Sequence, residues 1–320
     1  MLSEFGSHCL SAAFIDALPA FALADGTVRR LGAELDCIRV HAAPSLAAAA
    51  VPGGEALLTS GEDGRVCRTE ANGRCREIGS VPRKWITSVG QSSGRIAYAA
   101  GRTVWLHSSQ GCRQVQHART VKAISFAADG TRLAVAQQDC VTVHDLDAGG
   151  EPLELQWNDI HTGATFSPDG RFVLAAAQNC FLHGWRLADR KHFRMLGYQG
   201  RVDDWSWSSD GAFLATSGAS AAIVWPFAGD DGPMTQSAVE VATRAERTVT
   251  AVAWRPGTRQ LAVGYDDGAL QLAVVGDPRA ALPMRESGRA PITSIAWDRR
   301  GGQIAFGSAV GECGAVAVDA

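Results

Sequence analysis

The sequence predicts an all-β protein, a β-propeller built from four-stranded antiparallel blades. Three observations carry that expectation. One strand-turn-strand frame recurs eight times, Gly, Asp and Asn punctuate each copy at the same places, and no window sustains helical periodicity. The copies are anchored at residues 14, 50, 89, 126, 166, 207, 254 and 297, spaced by 36 to 47 residues.

Each copy begins with an apolar strand ending at its anchor, followed by a turn and a strand of small and β-branched residues. The first three are degraded: "FIDALPAFALA" from Phe14, "AVPGGEALLTS" from Ala50 and "VGQSSGRIAYA" from Val89. The fourth and fifth, "FAADGTRLAVA" from Phe126 and "FSPDGRFVLAAA" from Phe166, show the frame cleanly. Copies six to eight replace the Phe anchor with Trp, as "WSSDGAFLATS" from Trp207, "WRPGTRQLAVG" from Trp254 and "WDRRGGQIAFG" from Trp297. A second tight turn leads to the third strand, with Asp25, Asp63, Asp139, Asn179 and Asp267 at its head. These residues and Gly suit hairpin turns because they tolerate positive φ. A weaker fourth strand follows in most copies, as in "CREIGSV" after Cys75 and "CRQVQHA" after Cys112.

Four short antiparallel strands every 40 or so residues make one propeller blade. A single blade buries little, so blades must stack, and residues 1–320 are expected to be one cooperative domain. Repeat counting gives eight blades, with seven plus an irregular unit as the alternative. The last copy reaches Ala320 after its third strand. Its outer strand is therefore expected from the residues before Cys9, a swap that leaves no free edge.

Composition limits the function. The chain has 320 residues, 46% hydrophobic and 20% charged, with 30 basic and 33 acidic residues for a net charge of −3. Dispersed charge argues against nucleic acid as partner, since phosphate binding needs a concentrated basic face. The cluster Arg186, Arg190, Lys191, His192, Arg194 and Arg201 reads as a solvated face. No apolar run reaches the roughly 18 to 20 residues that span a bilayer. The stretch "CLSAAFIDALPAFALA", residues 9 to 24, imitates a signal peptide but has no preceding basic residue and carries Asp16 at its middle, so it is expected to fold and the protein to be cytoplasmic. The eight cysteines include no CxxC spacing, which favours free thiols over a zinc ribbon or a redox motif.

The repeats resemble those of the WD-repeat (WD40) family over roughly residues 9 to 320. The likeness rests on Ser167-Pro168-Asp169-Gly170, on the turn aspartates 25, 63, 139 and 267, and on the third-strand aromatics Trp185 and Trp225. The family's Gly-His dipeptide is absent and its Trp-Asp pair stands here as His144-Asp145, Trp185-Arg186 and Trp225-Pro226. Its structural His-Ser-Asp-Trp network is thereby put in question. Residues 182 to 200 and 217 to 234 further resemble short bacterial WD-repeat proteins whose genes neighbour CobW-type GTPases. That likeness implies an accessory to a metallochaperone GTPase in zinc or metal homeostasis.

The candidate chemistry is sparse. Gly90-Gln91-Ser92-Ser93-Gly94 matches GxSxG, but it is expected in the first turn of copy three rather than on a strand-to-helix elbow. His41, His117 and His161 recur before the first strands of copies two, four and five. They are expected to bond Asp63, Asp139 and Asn179 of their own blades rather than a metal. Cys140 and Cys180 occupy equivalent turn positions where Gly is usual. They are weak candidates for a soft metal ion, with a neighbouring histidine as third ligand. No paired carboxylates, phosphate loop or dinucleotide fingerprint appears, so no cofactor and no catalytic residue is expected.

Surface recognition remains. Loops entering the innermost strands carry Lys84, Trp85, Arg119, Lys122, Trp157, Asn158, His161, Arg201, Asp203 and Trp205. Aromatic and Arg side chains suit an interface because they bury much area with few rotors. The expectation is a non-catalytic scaffold that binds a protein partner, a CobW-type GTPase by the resemblance. The alternatives are a metal-binding accessory using rim Cys and His, and a propeller enzyme with a small-molecule site in its central channel.

Overall fold

The computed structural model describes residues 2–32, 35–277 and 281–318. Among them there are 31 strands, one short 3-10 turn at Gly232–Thr235 and no α-helix. The strands form six four-stranded antiparallel sheets and one seven-stranded sheet. In five of the four-stranded sheets the strands follow chain order, as in Ser45–Ala50, Ala56–Gly61, Arg65–Glu70 and Cys75–Ser80.

The repeat anchors acquire a structural meaning. Phe126, Phe166, Trp207, Trp254 and Trp297 each end the first strand of their copy. Each pairs with the residue seven positions later, as Phe166 with Val173 and Trp207 with Leu214. The turn between them is held by its own side chains. Ser167 Oγ accepts from Phe172 N at 2.9 Å and donates to Asp169 Oδ1 at 2.6 Å, while Asp169 Oδ1 accepts from Arg171 N at 3.0 Å. Ser208 and Asp210 repeat this arrangement at 2.9, 2.5 and 3.0 Å. The following Gly170 and Gly211 both take φ +69°, where an L side chain would be strained.

Copy three departs from the predicted register. Ser92 pairs with Arg95, so only Ser93 and Gly94 form the turn, and Gly90 to Ser92 belong to strand Ser88–Ser92. The GxSxG pentapeptide is thus mostly strand. Ser92 is buried, with Oγ donating to Ala128 O at 3.2 Å.

The seven-stranded sheet arises because the last strand of copy four and the first of copy five are one strand, Leu153–Phe166. Its N-terminal half pairs with Gln138–Asp145 and its C-terminal half with Phe172–Ala177, the change falling between Ile160 and His161. The loop expected around Trp157, Asn158 and His161 is therefore replaced by continuous strand.

The chain divides into two compact units. The first comprises residues 1–23, 29–35 and 196–320. Here the outer strand of the last sheet is Leu2–Glu4, with Leu2 opposite Gly314, Ser3 opposite Cys313 and Glu4 opposite Glu312. The expected swap is present. Residues 9 to 23 of the signal-like stretch form the hairpin Cys9–Ile15 and Leu18–Leu23. Phe14, Phe21 and Leu23 pack there with Ala305 and Cys313.

The second unit comprises residues 24–28 and 36–195. Its cores include Leu58, Ile86, Tyr98 and Trp105 in one cluster, and Val135, Leu133 and Leu106 in another. In both units burial is greatest in second strands and least in fourth strands. Ala56–Gly61 and Phe172–Ala177 are buried at every residue, whereas Gly111–Gln116 is exposed at all but one. Alanine-rich second strands, such as Ala97, Ala99 and Ala100, let neighbouring sheets approach face to face.

Neighbouring sheets are also joined by hydrogen bonds from first strand to first strand. Ser88 Oγ accepts from Ile124 N at 3.1 Å and Ser206 Oγ from Trp254 N at 3.1 Å. Ser294 Oγ accepts from Ala12 N at 2.9 Å. Asp204 takes the same role with a carboxylate, Oδ2 accepting from Val252 N at 2.8 Å. Its enclosed carboxyl is pushed up to about 7 by desolvation, against the lowering effect of the Val252 and Trp205 amides.

Candidate functional site

In one sheet a buried histidine joins a threonine and an aspartate. His41, 1% exposed, faces Asp63 Oδ1 through Nδ1 at 3.0 Å and Thr59 Oγ1 through Nε2 at 2.9 Å. Desolvation holds the imidazole below its ordinary value despite Asp63, so it is neutral near pH 7. Asp63 also accepts from Arg65 N and Ala42 N, each at 3.1 Å, which fixes the second turn.

The other two predicted histidine bonds are not made. His117 lies edge-on to His144 with ring centroids 5.1 Å apart, and Asp139 pairs with Arg119 at 3.5 Å instead. Asn179 donates to Asp159 Oδ2 at 3.0 Å, while His161 is wholly buried 6.0 Å from the Trp185 ring. Strand continuity through residue 161 turned that side chain into the core, so His161 is no part of a partner-binding surface. Other sheets use different groups at this level. Trp225 Nε1 donates to Tyr198 OH at 2.8 Å, which meets Thr216 Oγ1 at 2.9 Å. Arg244 grips Asp267 with two bonds of 2.9 Å.

Of the predicted surface residues, Lys84 and Trp85 are presented most clearly. They sit with Pro82 and Arg83 in an exposed loop between buried Val81 and Ile86, and Trp85 is 60% exposed. The loop is tied to the second turn of its own copy. Val81 N donates to Gly64 O at 2.7 Å, Ile86 N to Gly61 O at 3.2 Å, and Ser60 Oγ to Ile86 O at 3.0 Å. Gly64 has φ +73° and leaves room for the loop, since a Cβ there would stand 2.3 Å from Val81 O. Asp63, fixed by His41, therefore supports the seat of the Trp85 loop. Arg83, also at positive φ, was not singled out by sequence.

The next equivalent loop exposes Arg119 and Lys122. Asn158 is exposed on the long strand, whereas its neighbour Trp157 stacks on buried His183 at 3.9 Å. Trp157 is packing. In the other unit, Arg201 and Asp203 are exposed and pair with each other at 3.1 Å, and Trp205 is half-buried in strand Trp205–Trp207.

The two candidate thiols differ. Cys140 is 5% exposed, and Gln137 Nε2 reaches its Sγ at 3.6 Å, while Cys180 is exposed. Neither takes the left-handed conformation expected of a glycine substitute; Asp139 does so instead, at φ +64°. Among the described residues, no three His, Cys, Asp or Glu side chains are arranged to hold a metal ion. No helix among them is long and apolar enough to cross a membrane.

A cleft of about 740 Å³ lies between neighbouring sheets of the second unit, lined by Arg113, His117, Arg119, His144, Glu154 and Gln156 among others. Desolvation, with His117 and Arg113 nearby, lowers His144 to about 4. These imidazoles are neutral near pH 7. The cleft carries side chains able to hydrogen-bond a small polar molecule, but no nucleophile joined to a base.

No protein-family model and no curated protein sequence matches the chain. Many solved structures share its fold. One is the computationally designed Ika8 protein, crystallised in P63, with 16% identity and a TM-score of 0.78 over 99% of this chain and 98% of the designed one. At that identity the likeness shows the fold alone: an all-β architecture of repeated blades.

Proposed function

We propose that the chain is a WD-type β-propeller, eight-bladed by its repeat count, that acts in the cytoplasm as a non-catalytic docking protein. The recurring strand order, the repeated Ser-x-Asp-Gly turn and the swapped strand Leu2–Glu4 support the propeller. One observation carries the docking role: Trp85 stands 60% exposed on a loop already fixed by buried anchors and backbone hydrogen bonds. Apolar area that large on a preordered loop loses little entropy when a partner covers it. Arg83 and Lys84 beside it favour a partner with a carboxylate-rich rim around an apolar pocket.

The sequence resemblance nominates a CobW-type GTPase as that partner. The test is isothermal titration of the full chain against the purified GTPase from the same genome, with GDP or GTP and with or without zinc. Binding is expected, weakened about 30-fold or more by Trp85→Ala, the loss typical of a central aromatic anchor. Absence of binding in every nucleotide and metal state would remove the GTPase. Binding unchanged by Trp85→Ala would remove the loop.

A further inference from the structure

Strands Arg65–Glu70 and Cys75–Ser80 form a hairpin with Thr69 opposite Cys75 and Cys67 opposite Glu77. Cys67 and Cys75 therefore lie as diagonal neighbours on one face of the pair. The two thiols are near enough to perturb each other's ionisation. A one-residue register slip at Ile78 adjoins the pair and gives this end of the hairpin freedom to twist.

The two sulfurs are unequal. Cys67 is wholly buried, its Sγ also 3.4 Å from Val40 O, whereas Cys75 is half-buried and reaches solvent. The buried Thr69 hydroxyl has no hydrogen-bond partner of good geometry and lies on the strand opposite Cys75, and the Arg65 guanidinium adds positive charge. The Cys67 thiol, Thr69 and Arg65 together bring Cys75 down to about 7, while the same thiol contact and burial push Cys67 up. One sulfur is thus a ready nucleophile and the other a protonated neighbour.

We propose that Cys67 and Cys75 form a redox-active dithiol that a hydroperoxide converts to an intramolecular disulfide. The Cys75 thiolate attacks the terminal peroxide oxygen; an S–O bond forms, the O–O bond breaks, and the departing alkoxide or hydroxide takes a proton from solvent. Sulfur loses two electrons and the peroxide gains them, leaving a sulfenic acid and an alcohol or water. The Cys67 sulfur then attacks the Cys75 sulfur. The S–S bond forms as the S–O bond breaks, and hydroxide leaves as water with the Cys67 proton. Two equivalents of a small thiol restore the dithiol by exchange through a mixed disulfide and leave as their own disulfide.

The other cysteines show what is particular here. Cys9 and Cys313 also lie in one core cluster, but both are 0% exposed, so an oxidant has no path to them. Cys112 is exposed, but its sulfur faces His107 Nε2 at 3.3 Å, and burial raises its thiol. Access and a resolving thiol coincide at Cys75.

The test treats the full chain at pH 7 with hydrogen peroxide, blocks remaining thiols with an alkylating agent and maps unreduced peptides by mass. A peptide linked through Cys67 and Cys75 is expected, reversed by dithiothreitol, with Cys9 and Cys313 still reduced. Half-ionisation favours Cys75 over an ordinary thiol, and lower intrinsic nucleophilicity offsets part of the gain. The expected rate is about three- to sixfold that of a solvent-exposed cysteine of ordinary acidity in a short peptide. In Cys67→Ser, Cys75 should accumulate as sulfenic acid that dimedone traps. Two results would overturn the proposal: Cys75 still alkylated as a thiol once Cys37 and Cys112, both exposed on the surface, are oxidised, or its conversion to sulfinic acid without the linked peptide. Both are read on the unsubstituted protein, so the outcome does not depend on the variant folding.

Discussion

Replacing Asp204 with Asn should make the protein more stable at pH 8 and leave it nearly unchanged at pH 4.5. Asp204 is half-buried as a residue, but its carboxyl is enclosed and accepts the Val252 amide at 2.8 Å. Comparable positions carry Ser206 and Ser294, which accept the same kind of bond without a charge. Desolvation raises Asp204 from an ordinary value of 3.8 to about 7, with like-charged Asp203 adding to it. The sign follows. A raised folded-state value stabilises the fold fully below the unfolded value near 4, and this contribution is lost as pH rises to about 7. The full rise would correspond to about 4 kcal/mol. Residual solvent access halves this to roughly 2 kcal/mol. Asn keeps an oxygen for the Val252 amide and carries no charge to desolvate. Urea unfolding of both proteins at pH 4.5 and 8, at one ionic strength, measures the difference. Equal destabilisation of Asp204→Asn at both pH values would show that the ionised carboxylate stabilises the fold and would refute the reasoning.

Other outcomes follow from the same geometry. His41→Ala leaves Thr59 and Asp63 short of a buried partner and should cost about 3 kcal/mol in urea unfolding; a loss below about 1 kcal/mol would mean the network is slack. Trp85→Ala should change unfolding free energy by no more than about 0.5 kcal/mol, because the ring is mostly in solvent. Deleting residues 2–8 removes the strand paired with Glu312–Gly314 and the Glu4–Arg289 ion pair. It should lower Tm by several degrees by scanning calorimetry and speed amide exchange at Glu312 to Gly314. Burial lowers His117, His144, His161 and His183, the last to about 3. Their contribution is present above pH 6.5 and lost as pH falls toward 3, so Trp157, stacked on His183, should report acid unfolding by its fluorescence in that window. A signal flat from pH 7 to 4 would contradict it.

The repeats were legible because a blade's strands and turns are local. An anchor seven residues from its partner, a Gly at positive φ and a Ser-Asp pair at the turn are short-range requirements, and Phe166 to Gly170 write them into the sequence. The swapped strand Leu2–Glu4 was legible too, since the last copy lacked a fourth strand and an unpaired edge is costly. The exposed Trp85 loop could be read from its place between strands. The dithiol left a fainter signal: Asn72-Gly73 marks the hairpin turn that carries Cys75 back past Cys67.

What tertiary structure decided was the direction and surroundings of individual side chains. By itself the sequence determined an all-β chain of repeated four-stranded units, their approximate boundaries and where their turns fall. It did not determine that copies four and five share strand Leu153–Phe166, which buries His161 and stacks Trp157 on His183. Nor did it determine that Asp204 would be a desolvated acceptor, or that Cys67 would be sealed while Cys75 meets solvent. The physical reason is range. Strand and turn formation is governed by residues a few positions apart, whereas burial, desolvation and thiol acidity depend on strands brought alongside by packing.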